Sequence, residues 1–219
     1  LERKIITTGD GSKTIQISDW DEQYHSKHGA VQEAYHVFIK HGLSLFSGKN
    51  INILEIGFGT GLNALITLIE SKKDKTGVTY RGVEAYPVSE EELEQLNYIS
   101  ELKAEEFKKD FIEMHQSPWE GDVLISENFT LRKEKKFFAD IADEDVFDLV
   151  YFDAFGARVQ PELWTEDIFS IMYRAMKKDG FLVTYAAKGS VRRAMLAVGF
   201  EVERLPGPPG KREMLRAKK

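Results

Sequence analysis

The stretch ILEIGFGTGLNALI, Ile53 to Ile66, decides the fold. An apolar run, a glycine-rich turn and a second apolar run at helical spacing describe a β-strand entering a helix through a tight turn, a unit of nucleotide-binding α/β sheets. A dinucleotide turn wants glycine at its first, third and sixth positions. Counted from Gly57, the sixth position is Leu62, so that fingerprint fails. What stands instead is Glu55-x-Gly57-x-Gly59-x-Gly61, with an acid inside the strand and the third glycine at the helix start. Such glycines let the backbone turn sharply and approach a ligand closely.

Outward from this unit, strand and helix patterns alternate. Strand Ile51 to Ile56 and helix Leu62 to Glu70 are followed by strand Val78 to Val83 and an acidic helix from Ser89 to Leu102, with Ser89 as its N-cap. A helix over Glu105 to Gln116 and alternating residues at Val123 to Ile125 and Phe129 to Phe138 come next. The run VFDLVYFDAF is apolar from Phe147 to Phe152 and stops at Asp153, as a strand buried on both faces would. Helix Thr165 to Met176, strand Phe181 to Tyr185, helix Ser190 to Val198 and strands at Phe200 to Leu205 and Glu213 to Leu215 complete the series, the last two joined by PGPPG. The pattern predicts an α/β fold: a mostly parallel, seven-stranded sheet with a C-terminal antiparallel hairpin. Residues 1–50 read as an N-terminal strand (Thr14 to Ile17) and helix packed on a core formed by residues 51–219.

The 219 residues, 42% hydrophobic, suffice for one sizeable core. Without cysteine, thiolate nucleophiles, thiolate metal sites and disulfides are excluded. His25, His28, His36 and His41 lack zinc-ligand spacing, so no metal is expected. No membrane span or secretory leader is seen, and a cytoplasmic protein is expected. The net charge of −6 argues against nonspecific wrapping of nucleic acid. From Lys188 to Lys219, however, nine Lys or Arg face three Asp or Glu, a local +6 that leaves −12 on the first 187 residues. That tail is either a basic face or a solvated helix and hairpin.

In open α/β sheets ligands bind beyond the carboxyl ends of the strands. The residues there are Glu55 to Gly61, Glu84, Asp140 and Asp153, with Lys188 after the strand ending at Tyr185. The glycine pattern resembles motif I of class I S-adenosylmethionine-dependent methyltransferases. The resemblance implies a Rossmann-like fold and S-adenosyl-L-methionine as cofactor. Glu55, Gly57, Phe58, Gly59, Gly61 and Asn63 would line its methionine and ribose end. Glu84 and Ala85 would take the ribose hydroxyls, and Asp140 would sit near the adenine unless FFADIADED is simply a solvated acidic loop.

Three further stretches, YHSKHGAVQEAYHVF (Tyr24 to Phe38), YFDAFGARVQPELWT (Tyr151 to Thr165) and KGSVRRAMLAVGFEVERLPGPPGKREML (Lys188 to Leu215), resemble the methyltransferase domain of the bacterial tRNA 5-methylaminomethyl-2-thiouridine methyltransferase family, the MnmC-like proteins. That family methylates the aminomethyl group of the wobble 2-thiouridine in tRNA. The resemblance is to stand-alone members without the flavin-dependent oxidoreductase domain, which would then be a separate partner. It implies Asp153 as the catalytic group, close to the cofactor, holding the acceptor amine and stabilising the cation formed. The alternative for Asp153 as a bare sequence feature is the cap of the following turn. Phe155 and Trp164 would wall the base pocket, or serve as core. Tyr24, His25 and Ser26 would cover the cofactor, and Lys188, Arg192, Arg193, Lys211 and Arg212 would hold tRNA phosphates. Two other readings use the same fold: aminopropyl transfer to polyamines, disfavoured by Arg158 after the Asp-Ala-Phe tip, and a noncatalytic S-adenosylmethionine-binding module.

Overall fold

A computed structural model describes residues 2–219. The chain begins with three short antiparallel strands, β1 (Arg3–Thr7), β2 (Lys13–Ile17) and β3 (Glu22–Gln23). Helix α1 (Ala30–Ala34) runs on as a wider π-helical segment, Tyr35–Lys40. The main sheet opens with β4 (Asn50–Ile56), followed by α2 (Leu62–Asp74), β5 (Gly77–Val83), α3 (Glu90–Leu93), α4 (Tyr98–Glu101) and α5 (Lys108–Gln116). Strands β6 (Asp122–Ser126), β7 (Phe129–Glu134) and β8 (Phe147–Phe152) follow, then α6 (Glu166–Ala175), β9 (Met176–Thr184), α7 (Gly189–Val198), β10 (Glu201–Pro206) and β11 (Glu213–Lys218).

The sheet order is β10-β11-β9-β8-β4-β5-β7-β6. Five central strands are parallel, and β11 runs antiparallel between β9 and β10. Among the described residues the sheet has eight strands, not the expected seven. β6 pairs antiparallel with β7 through a tight connection at Glu127 and Asn128 and lengthens the edge. The chain moves from β4 outward to β5 and β7, then returns to β8 on the other side of β4. This reversal places the switch point, and the cleft above it, at the tips of β5, β4 and β8.

Period-two alternation buries both faces. Ile53, Leu149 and Tyr151 pack with Leu62, Leu65 and Phe38, whereas Leu54, Ile56, Val150 and Phe152 pack with Phe169, Met172 and Met195. Glu55 and Asp153, in step with Ile53 and Tyr151, therefore project toward α2. The helix expected from Ser89 to Leu102 is divided into α3 and α4. Ser89 does cap α3, its side chain accepting from Glu92 N while Glu92 accepts from Ser89 N. Asn97, before α4, instead accepts from Lys13 N at 2.7 Å and donates to Gly11 O at 3.0 Å. The N-terminal hairpin thus diverts it from helical continuation. Among the described residues no helix is long and apolar enough to cross a membrane.

Candidate active site

The glycine turn locks three strand tips together. Gly57 N and Phe58 N both donate to Val83 O, and Asp153 N donates to Ile56 O. Gly57 has φ +89, and a Cβ there would stand 2.9 Å from Asp153 O, so only glycine allows β8 this close. Glu84 Oε2 accepts from Gly59 N at 3.1 Å and Oε1 from Tyr86 N at 2.9 Å. One backbone bond on each oxygen fixes the carboxylate and leaves further lone pairs on the cavity side.

Behind the turn, the Asn63 amide nitrogen donates to Glu55 Oε1 and to Asp153 Oδ2, both at 2.9 Å. Tyr80 donates to the other Glu55 oxygen at 2.8 Å. Because two carboxylates demand the amide's donors, Asn63 Oδ1 is turned the other way, and it is buried without a partner. An unpaired buried carbonyl costs about 1–3 kcal/mol, a cost the protein carries to hold both strand-tip carboxyls on one amide.

These residues open into a cavity of about 1320 Å³. Single small-molecule pockets span roughly 300–1,000 Å³, so there is room here for a cofactor and part of a second reactant. Tyr24, His25, Ser26 and His28, from the segment between β3 and α1, form one wall. Phe155 forms another, its ring edge-on to Tyr24 at 4.9 Å and to Trp20 at 5.7 Å. Arg158 ties the same loop back to the N-terminal segment by donating to Trp20 O, Asp21 O and Glu22.

Burial sets the electrostatics. It pushes the Asp153 carboxyl up, the Glu33 carboxylate adds to the rise, and the Asn63 bond and the Lys211 ammonium oppose it, leaving Asp153 at about 7. Glu55, fully buried, is pushed well above the usual carboxylate range by desolvation despite its bonds to Tyr80 and Asn63. Burial also lowers His25 to about 4, and its Nδ1 pairs with Thr14 Oγ1 at 3.0 Å. This histidine is therefore a neutral wall.

Glu55, Gly57, Phe58, Gly59, Asn63, Glu84, Ala85, Asp153 and Phe155 all line the cavity, and Gly61 begins α2 just behind it. Asp140 does not: it is exposed, and Phe137, Phe138 and Ala139 present the wall there, because a 3-10 turn at Phe138–Asp140 rotates the acid outward. Trp164 is likewise not a wall residue. It is buried against Phe152 and Phe169 and donates its indole N–H to Phe155 O at 2.8 Å, supporting the loop from behind. Lys188, Arg192, Arg193 and Arg212 lie outside the cavity. Lys211 lies within it, bound to the Glu33 carboxylate. Glu33 and Tyr185 had no sequence signal, since each reads as part of an ordinary element.

A glycine turn pinned to an acid on the next strand, an unpartnered carbonyl, and a third strand-tip acid beside them, all on a β7-β5-β4-β8-β9 parallel core, define a class I S-adenosylmethionine-dependent methyltransferase. The chain belongs to that family: the family model described as S-adenosyl-L-methionine-dependent methyltransferase matches residues 103–219. It is 32% identical over 230 residues to the tRNA 5-methylaminomethyl-2-thiouridine biosynthesis bifunctional protein MnmC of Leptospira interrogans, covering 96% of this chain and 34% of that protein. The MnmC of Hydrogenovibrio crunogenus is 28% identical over 98% of this chain and 34% of its own length. The chain thus spans about a third of the curated relatives it matches. The crystal structure of MNMC2 from Aquifex aeolicus superposes with a TM-score of 0.78 at 25% identity, covering 99% of this chain and 69% of that one. Spermidine synthase from Thermotoga maritima shares the fold, with a TM-score of 0.55 at 13% identity.

Proposed function

We propose that this chain methylates the exocyclic aminomethyl nitrogen of a wobble 2-thiouridine in tRNA. The observation that carries the reading is Asp153, a carboxyl held near 7 inside an aromatic-walled cavity shared with the motif I turn. The names of the MnmC relatives supply the acceptor. S-adenosylmethionine supplies an electrophilic methyl group. Glu84 would hold its ribose hydroxyls, and the turn at Gly57 and Gly59, with Glu55 at its base, would take its methionine end. An aminomethyl group reaches a neutral-pH enzyme largely as a cation and must lose a proton before its lone pair can attack. Asp153 is placed to take that proton, and a carboxylate near 7 is a far better base than one near 4. Phe155 and Tyr24 would flank the uracil and exclude water.

On this reading the aminomethyl group comes from a flavin-dependent oxidoreductase outside these 219 residues, and a tRNA acceptor implies a cytoplasmic enzyme. One observation favours a second reading, a free polyamine acceptor: Glu22 and Glu33 join Asp153 on the cavity wall, and the Arg158 that argued against a polycation is turned onto the N-terminal segment. The experiment supplies labelled S-adenosylmethionine and compares undermodified tRNA with free polyamines. Label in tRNA, lost in Asp153→Ala at unchanged cofactor affinity, is expected. Label in polyamine alone would replace the tRNA reading with the second.

A further inference from the structure

Glu33, on α1, is 5% exposed, and Lys211 follows the PGPPG turn between β10 and β11. They are 178 residues apart in sequence, yet the Lys211 ammonium donates to Glu33 Oε2. The same ammonium stands 3.9 Å from the centre of the Tyr185 ring. Glu33 Oε1 is held by Ser26 N at 3.1 Å, and Tyr185 donates its hydroxyl to the carbonyl of Ala154, the residue after Asp153, at 2.8 Å. A carboxylate and an aromatic face, each fixed by a bond of its own, therefore converge on one cation inside the cavity that Asp153 lines. Such a pair is an ammonium-binding arrangement.

We propose that Glu33 and Tyr185 form the subsite for the acceptor's aminomethyl cation, and that Lys211 occupies it until the acceptor displaces it. The acceptor's identity rests on the tRNA reading above, whereas the ligand class, a primary ammonium, rests on the cage itself. Lys211 suits a temporary occupant: its side chain retains 32% exposure, and a four-carbon stem can swing a strongly hydrated head back into water. The incoming ammonium replaces it with the same charge against the same partners. One of its N–H protons then passes to the Asp153 carboxylate and the electron pair of that bond stays on nitrogen as the lone pair. Glu33 binds and selects, while Asp153 takes the proton.

Two arms test this. The first uses tRNA carrying 5-aminomethyl-2-thiouridine at the wobble position as substrate and tRNA with plain 2-thiouridine there as competitive inhibitor. Glu33→Gln, which keeps the acceptor for Ser26 N, should raise KM for the first by roughly 10- to 100-fold, the value of a charged hydrogen bond, while leaving the inhibition constant and cofactor affinity unchanged. Equal weakening of both tRNAs would assign Glu33 a structural role and overturn the proposal. The second arm measures putrescine binding by calorimetry with S-adenosylhomocysteine present. Lys211→Met should bind it several-fold more tightly than the wild type, and adding Glu33→Gln should abolish the gain. Equal binding by wild type and Lys211→Met would refute displacement. If the wild type leaves the aminomethyl tRNA unmethylated, the tRNA assignment falls and the putrescine arm alone decides the cage.

Discussion

Replacing Asp153 with asparagine should stabilise the fold above pH 7 while abolishing methyl transfer. The Asp153 carboxyl ordinarily titrates at 3.8 and does so at about 7 in the folded protein. Between those values the folded protein keeps a proton that the unfolded chain has released. Folding stability attributable to this group is therefore undiminished below about pH 4, falls as pH rises, and levels off above about pH 7. The full shift corresponds to about 4 kcal/mol, and because Asp153 is only partly buried about 2 kcal/mol is a fair expectation. Asp153→Asn keeps an oxygen for the Asn63 amide and removes the charge repelled by Glu33 and buried beside Glu55. In a domain of this size 2 kcal/mol raises Tm by about 4–8 °C. Thermal melts of wild type and variant from pH 4.5 to 8.5 should show a gap that opens with pH. A gap absent at pH 8, or as large at pH 4.5 as at pH 8, would refute the reasoning.

The same carboxyl should govern the rate: kcat/KM of the wild type is expected to fall as pH drops through about 7, and a profile flat from pH 6 to 8 would remove Asp153 as the proton acceptor. Gly57→Ala, at φ +89 with its Cβ 2.9 Å from Asp153 O, should cost about 1–3 kcal/mol in denaturant melts and weaken cofactor binding at least tenfold; unchanged binding would show the turn is not the cofactor cradle. Glu84→Gln loses the charge and one of the two backbone hydrogen bonds, because its amide nitrogen cannot accept from Gly59 N or Tyr86 N, so S-adenosylhomocysteine affinity should drop at least tenfold by calorimetry; unchanged affinity would remove Glu84 from the cofactor site. Charge reversal at Arg192 and Arg193 should weaken tRNA binding and flatten its dependence on salt, and an unaltered slope would move the RNA surface elsewhere.

What the sequence displayed was local. The β4 turn and α2 are specified within 14 consecutive residues, and Asp153 ends an uninterrupted apolar run, so both strand tips and the alternating architecture were readable. Pairings over long separations were not. Nothing around Asn97 shows that it will bond to Lys13 and Gly11, 84 and 86 residues away, and break the acidic helix. Trp164 carried the aromatic signal of a base pocket, but its indole N–H found a buried carbonyl nine residues earlier, which turned it into the core. Asp140 failed for a dihedral reason, a single 3-10 turn deciding which of four consecutive side chains meets the cavity.

The uneven charge seen in the sequence acquires a spatial meaning. Six acids, Glu22, Glu33, Glu55, Glu84, Asp153 and Glu162, line the cavity against three Lys or Arg; Arg3 is bonded to Glu92 and the Tyr86 carbonyl, Lys211 to Glu33, and Lys27 is exposed. The interior therefore favours a cation and repels phosphate. Lys188, Arg192, Arg193 and Arg212 lie outside it, Lys188 only three residues beyond Tyr185 on the wall. For an RNA acceptor this division would separate two tasks: the outer basic residues would hold the polyanion, and only a splayed base bearing a positive side arm would be drawn inward. The two sets of residues should then separate experimentally, with rim substitutions changing salt dependence for every tRNA and Glu33→Gln changing only the preference for the aminomethylated one. A rim variant that altered that preference without altering the salt slope would show that recognition and positioning are not divided in this way.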